Sequence, residues 1–288
     1  MKSRKVTLRY GIVNKHQDIA VILVDGTSLR HKQLIFDPVC GSDTHSNVYL
    51  NKCAAIFDVW YLKIEHLDVE RLSSHVIMDL EASHGWSHGN ITLVQIMDYA
   101  RRKILLLQYD ARSTADKHAL TRMIAHLRVI YVWDAKMDGA NLHIQTGIDI
   151  TEKLYDVSLF AIGCRHLSLE HHMMNFMYRF HTVDAHGYPA ALTPLCKRNV
   201  DFSMFASSPM SSSNRSRSDV YWEYAINDVL ALWMTLFDMF RNAEEHPGIM
   251  QTAHSHMQRL ARLRMRDQGN HDVRRVKYST IRRLLTVA

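Results

Sequence analysis

The sequence predicts an α/β fold, a sheet flanked by helices and preceded by a small β-rich module. Three observations predict it. Between His75 and Trp133, short apolar runs bounded by turn residues read as strands, and a helical stretch separates the last of them from the others. Beyond Trp133 the patterns are mostly helical, ending in the strongly apolar segment 220–241. Before residue 60 the apolar runs are short and closely spaced, with turn-like breaks between them.

The first 60 residues hold four such runs, at 6–10, 19–24, 33–36 and 54–57. Asp25-Gly26 is a hairpin signal and 41–47 a polar loop, so a small, barrel-like β module is expected, with no identifiable site. Segment 65–74 reads as a short helix or connector. It leads to HVIM (75–78), an apolar run that reads as a buried strand ending in Asp79-Leu80-Glu81. Side chains two apart on a strand share a face, so Asp79 and Glu81 stand together while Leu80 points away. Paired carboxylates on a buried strand repel each other and lose hydration. A divalent cation would compensate, although a solvated strand end also fits the pair taken alone.

Strands at 91–97 and 104–109 complete a meander. Ser113-Thr-Ala-Asp116 caps a helix reaching about Leu127, and 129–133 is a further buried strand. A helix then opens at Asp134-Ala-Lys-Met-Asp138, with both aspartates on one face of its first turn. The helix dipole stabilises carboxylates there, which is a sufficient structural reason for either one. Extended pieces follow at 148–150 and 154–156, with Asp156 opening the next helix. Segment 168–180 is helical, and 197–219 is a long polar loop whose Arg215 and Arg217 could touch substrate. In helix 220–241, Tyr224 and Asp228 lie one turn apart on one face, among Leu230, Leu232, Trp233 and Leu236. An aspartate in so apolar a helix needs a partner, and a hydrogen bond from a neighbouring helix would serve.

The ordered set is more specific than its parts. Asp79-Leu-Glu81 followed by Leu93-Val-Gln-Ile96, then Trp133-Asp-Ala-Lys-Met-Asp138, then Tyr224-Ala-Ile-Asn-Asp228, resembles the tyrosine-bearing branch of the DEDD 3′–5′ exonucleases, which includes ribonuclease D-, Werner- and Egalitarian-like domains. The similarity covers about 74–241. Three departures stand out. Trp133 and Lys136 replace the histidine and arginine of the Egalitarian-type second motif. Leu154-Tyr-Asp-Val157 matches the usual N-x-x-D-T element loosely. A serine-rich loop stands where a W-x-x-R-P-L segment is common.

The resemblance implies a ribonuclease H-like fold, with a mixed five-stranded sheet flanked by helices. It implies Asp79, Glu81, Asp138 and Asp228 as ligands of two Mg²⁺ or Mn²⁺ ions, Asp138 through water, and Tyr224 as the group that orients the attacking water. The implied activity is 3′–5′ exonucleolytic hydrolysis of single-stranded RNA, or of DNA, since no residue pattern reads a 2′-hydroxyl. Lys136, Arg215, Arg217, Arg262 and Arg266 are the expected nucleic-acid contacts. The implied domains are a 1–60 module, Lsm-like by analogy with some Egalitarian-like enzymes, a 61–245 exonuclease domain and a 246–288 basic helical segment. The competing reading is an RNA-binding adaptor that keeps the fold with little or no catalysis, and Trp133 and Lys136 keep it open.

Composition fits this picture. The chain has 288 residues, 47% hydrophobic and 22% charged, enough for one large domain or two small ones. Its net charge is +6, and 257–288 carries nine Lys/Arg against Asp267 and Asp272, so the tail accounts for the whole excess. Such a segment suits phosphate contact, and equally suits a solvated helix face. Cys40, Cys53, Cys164 and Cys196 form no C-x-x-C pair and read as free thiols. The basic start has no apolar run behind it, and no run is long enough to span a membrane, so an intracellular protein, cytoplasmic or nuclear, is expected, with no membrane partner. The sequons at Asn90 and Asn214 then carry little weight. No H-E-x-x-H, Walker loop or G-x-G-x-x-G occurs among the nineteen histidines and eleven glycines.

Overall fold

The computed structural model describes residues 4–7, 18–23, 30–36, 55–82, 90–161, 169, 224–233, 235–236 and 247–266. Among the described residues, nine strands form one sheet: β1 (Arg4–Thr7), β2 (Asp18–Leu23), β3 (Arg30–Phe36), β4 (Ala55–Lys63), β5 (His75–Ala82), β6 (Ile91–Asp98), β7 (Lys103–Gln108), β8 (Val129–Val132) and β9 (Leu154–Asp156), in the order β1-β2-β3-β4-β7-β6-β5-β8-β9. The helices are α1 (Thr114–His126), α2 (Ala135–Thr146), α3 (224–233 and 235–236) and α4 (Pro247–Arg266). The connector before β5 is two 3₁₀ turns, Ile64–His66 and Val69–Arg71.

The meander β5-β6-β7 is antiparallel, and β8 and β9 run parallel to β5 on its other side. Strands β7-β6-β5-β8-β9 make the mixed, helix-flanked five-stranded sheet expected of a ribonuclease H-like fold, and four further strands extend it beyond β7. The first of these is β4, which lies parallel to β7 from Asp58↔Lys103 to Lys63↔Gln108. It runs across residue 60, the expected boundary of the first module, and β3, β2 and β1 continue the sheet from it in antiparallel order. The Asp25-Gly26 hairpin signal lies outside the described residues, though β2 and β3 do pair antiparallel.

The apolar runs are continuous because the central strands are covered on both faces. On one face Ile77, Leu93, Met97, Leu106 and Tyr131 pack against α3 through Ala225, Val229, Leu232 and Leu236. On the other, Val76, Met78, Leu80, Val94, Ile96, Ile130 and Val132 pack under α1 and α2. Each fully buried Val, Leu or Ile contributes about 1.5–3 kcal/mol of transfer free energy. A carboxylate at such a position forfeits that gain and adds a desolvation cost, so every acid in β5 needs a specific reason to be there.

Ser113 caps α1 as expected, its Oγ accepting from the Asp116 N–H at 3.1 Å. The helix expected after Asp156 is a five-residue 3₁₀ segment, Val157–Ala161. Of the expected 168–180 helix only residue 169 is described, and the 197–219 loop, with Arg215 and Arg217, lies outside the described residues. Within α4, Met257, Leu260, Ala261, Arg264 and Met265 form a buried stripe. The first ten residues of the basic tail therefore turn one face to the core. No helix among the described residues is long and apolar enough to cross a membrane.

Candidate active site

Strand phasing puts the acid pair on the α3 face. Ile77 packs there, so Asp79 and Glu81, two and four residues on, share that side, while Met78 and Leu80 serve the opposite core. The strand runs on to Ala82, so the pair lies inside β5, with a bulge at Glu81/Ala82. From α3, Asp228 reaches the same place. Oxygens of Asp79, Glu81 and Asp228 all lie within 4.8 Å of one another, a spacing that suits a divalent cation with hard oxygen ligands. Glu81 and Asp228 are buried, 8% and 5% exposed. Three clustered anions are stable there only with positive charge between them.

Tyr224, one turn before Asp228 and 4% exposed, completes the group. Burial pushes its hydroxyl pKa up, and the charges of Asp228, Glu81 and Asp79 push it further, as does a hydrogen bond with Asp228. The hydroxyl therefore acts as a neutral donor and acceptor beside the acids. Gln95 stands out in the sequence only as part of an L-Q-I strand. It lies directly across from Asp79 and donates from Nε2 to Glu81 Oε1 at 3.0 Å, fully buried. A polar residue at an inward position of an otherwise apolar strand is the signal for it.

Asp138 is not one of the three clustered acids. It is buried in the first turn of α2, on the stripe Ala135, Asp138, Gly139, Leu142. The apolar members of that stripe pack on the core opposite the acid pair. The parallel β5–β8 register ends with Ile77 opposite Tyr131, and from there β5 runs on to the acids while β8 ends at Val132, just before α2. Helix α2 thus begins at the same end of the sheet as the acids.

Asp134 is the N-cap of α2 rather than a member of it. Its backbone is left-handed, φ 64°, and its side chain accepts from the Lys136 N–H. Asp156 is wholly buried and accepts from the N–H groups of Asp134 (3.3 Å), Ala135 (3.0 Å) and Ser158 (3.0 Å) and from Ser158 Oγ (2.6 Å). Arg264 of α4 closes this arrangement, its Nη1 lying 2.8 Å from Asp134 Oδ1 and 3.1 Å from Asp156 Oδ2. Burial alone would lower the Arg264 pKa, but the Asp156 and Asp134 charges outweigh it and raise it.

Of the expected nucleic-acid contacts, Lys136 is half-buried in the first turn of α2. Arg262 pairs with Glu152 and donates to Gln258 Oε1 at 3.2 Å. Arg266 is exposed, and with Arg259 and Arg262 it lines a shallow surface hollow along α4.

No protein-family model and no curated protein matches the chain. Among solved structures it is similar to the apo form of a nuclease, at 14% identity, covering 69% of this chain and 86% of that one with a TM-score of 0.42. It is similar to Brucella melitensis NrnC bound to pGG, at 16% identity, covering 69% and 86% with a TM-score of 0.43. A third is the catalytic core of RRP6 from Trypanosoma brucei, at 15% identity, covering 67% of this chain but 47% of that one, with a TM-score of 0.41. NrnC has also been solved with bound Mg²⁺.

Proposed function

We propose that this protein is a divalent-metal-dependent 3′–5′ exonuclease, acting on single-stranded RNA in the first place and on DNA as the alternative. The observation that carries this reading is the convergence of Asp79, Glu81 and Asp228, from β5 and α3, within 4.8 Å, with the Tyr224 hydroxyl bonded to Asp228. The direction of cleavage and the preference for RNA follow from the motif resemblance, which runs from Asp79-Leu-Glu81 to Tyr224-Ala-Ile-Asn-Asp228.

Asp79, Glu81 and Asp228 would hold one cation, and Asp138 together with Asp79 would serve a second. When bound, the cations polarise the phosphodiester and make the attacking water nucleophilic at neutral pH. The chain's own part is positioning. Gln95 fixes the Glu81 carboxylate so that one oxygen faces the cluster. Tyr224 holds the attacking water in line through its hydroxyl, a geometric role that needs no change in its own protonation. Lys136, Arg259 and Arg266 contact phosphates, with Arg215 and Arg217 from the serine-rich loop.

The test is degradation of 5′-labelled RNA and DNA by the purified chain, with Mg²⁺, Mn²⁺ or EDTA. The expected result is a ladder of progressively shortened 5′-labelled products that EDTA abolishes, together with loss of the ladder in Asp79→Asn. Binding without cleavage under every metal condition would favour the adaptor reading.

A further inference from the structure

We propose that Arg264, from the C-terminal helix, is a positioning residue that sets where α2 presents Asp138. The inference rests on the nuclease reading for its consequence, but not for its geometry.

Two carboxylates, Asp134 and Asp156, share the Arg264 guanidinium, at 2.8 and 3.1 Å. Asp156 also holds the first amides of the β8–α2 turn, those of Asp134 and Ala135. This turn needs holding, because Asp134 sits at φ 64°, where a side chain is disfavoured and the surroundings must fix the conformation. Arg264 is 8% exposed and lies on the buried stripe of α4 between Ala261 and Met265. An arginine is therefore carried at a core position, where an apolar residue would serve packing alone. Both carboxylates meet the one nitrogen, Nη1, and a lysine ammonium, shorter in reach and more strongly hydrated, is a poorer occupant of that buried place.

The same helix seats α2 from a second side. A Cβ on Gly139 would collide with Met265 Sδ and lie 2.8 Å from Leu154 Cδ1, so α2 rests on α4 and β9 with its backbone at closest approach. Asp138 is the residue next to that contact. Its first turn is thus gripped at Asp134 by Arg264 and at Gly139 by Met265, two residues one apart on α4. A helix held only by apolar packing could slide or rotate on its neighbour. The guanidinium clasp fixes rotation as well as distance, which is what a carboxylate acting through an ordered water requires.

The test compares the full chain with Arg264→Lys and Asp134→Gly. Lysine keeps the positive charge beside buried Asp156. Glycine accepts φ 64° without strain, so Asp134→Gly folds even if Arg264→Lys does not. Amide exchange of the metal-free proteins reads the turn without reference to activity. Residues 135–139 are expected to exchange about tenfold faster in either variant, with β5, β6 and α3 unchanged. In cleavage assays, kcat is expected to fall up to about 10²-fold with KM for the oligonucleotide unchanged, as for a misplaced group. Unchanged exchange at 135–139 in the folded variants overturns the proposal. So does an Arg264→Lys chain with wild-type exchange and wild-type kcat, which would make Arg264 a charge-balancing core residue only. If the wild-type chain cleaves nothing, the nuclease reading fails while the exchange result still decides whether Arg264 positions the turn.

Discussion

Gln95 Nε2 donates a 3.0 Å hydrogen bond to Glu81 Oε1 across the buried β5–β6 ladder, on the face that α3 covers. This bond fixes the orientation of the Glu81 carboxylate beside Asp79 and Asp228. Outer partners of this kind typically hold 10–100-fold in metal affinity. Gln95→Met keeps the volume and removes the donor. Mn²⁺ affinity, measured by calorimetry, is expected to fall by about that factor while the far-ultraviolet spectrum stays unchanged. Unaltered affinity would show that Glu81 orients itself.

Asp79, Tyr224, Asp138 and Asp134 separate four roles. Asp79→Asn removes a charge from the three-carboxylate cluster, and both Mn²⁺ binding and cleavage are expected to collapse. Tyr224→Phe removes one hydroxyl and leaves every carboxylate in place. Mn²⁺ binding persists, and the rate drops by about 10²–10⁴. Asp138→Asn, if Asp138 serves a second ion, cuts the rate while sparing the first binding event in the titration. Asp134→Asn keeps the cap and suits the left-handed backbone, so its loss stays within about tenfold. An Asp134→Asn chain as dead as Asp79→Asn, beside a normal Asp138→Asn, would reverse the assignment of the two aspartates.

The parts that are legible in the sequence have local causes. Strands β5, β6 and β7 are buried on both faces, so they read as unbroken apolar runs, and the carboxylates interrupting them are visible for the same reason. The Ser113 cap and the one-turn spacing of Tyr224 and Asp228 are likewise local. What the sequence hides depends on pairing across distance. Strand β4 crosses the boundary expected at residue 60 because its partner β7 is parallel, and parallel pairing leaves no turn signature nearby. Spacing alone puts Asp134 and Asp138 on one helical face, yet Asp134 is the left-handed cap, a backbone choice that Arg264 and Asp156 impose from elsewhere in the chain. Arg264 does carry a signal. It falls in the apolar stripe Met257, Leu260, Ala261, Met265, where a solvated arginine would not belong.

His254 gives the fold a pH dependence unrelated to the acid cluster. Its Nε2 lies 2.5 Å from the Tyr131 hydroxyl, and its ring packs on Tyr131 and Tyr155. Burial, then the charge of His75, lowers its pKa below the usual 6.5. The folded state thus favours the neutral ring, which shares a hydrogen bond with the Tyr131 hydroxyl. Its contribution to stability is complete above the ordinary histidine range and is lost as pH falls below it. The melting temperature is expected to drop between pH 7.5 and pH 5, and His254→Gln, which retains an acceptor and cannot titrate, should show a shallower drop. Equal slopes for the two proteins would remove His254 as the cause.

The basic tail divides at Arg266. Removing 257–288 deletes Met257, Leu260, Ala261 and Met265 from the core, together with the Arg264 clasp. At about 1.5–3 kcal/mol for each large buried side chain, that loss approaches the roughly 5–15 kcal/mol total stability of a typical protein. The 1–256 chain is therefore expected not to fold, and weak RNA binding by it would say nothing of phosphate contact. Removing only 267–288 leaves α4 whole and takes away Arg274, Arg275, Lys277, Arg282 and Arg283. If these residues neutralise phosphates, a plot of log affinity for single-stranded RNA against log salt becomes shallower by about 0.7 for each phosphate no longer neutralised. A 1–266 chain that melts like the full protein and keeps the full salt slope would assign the electrostatic contact to the α4 surface around Arg259 and Arg266 instead.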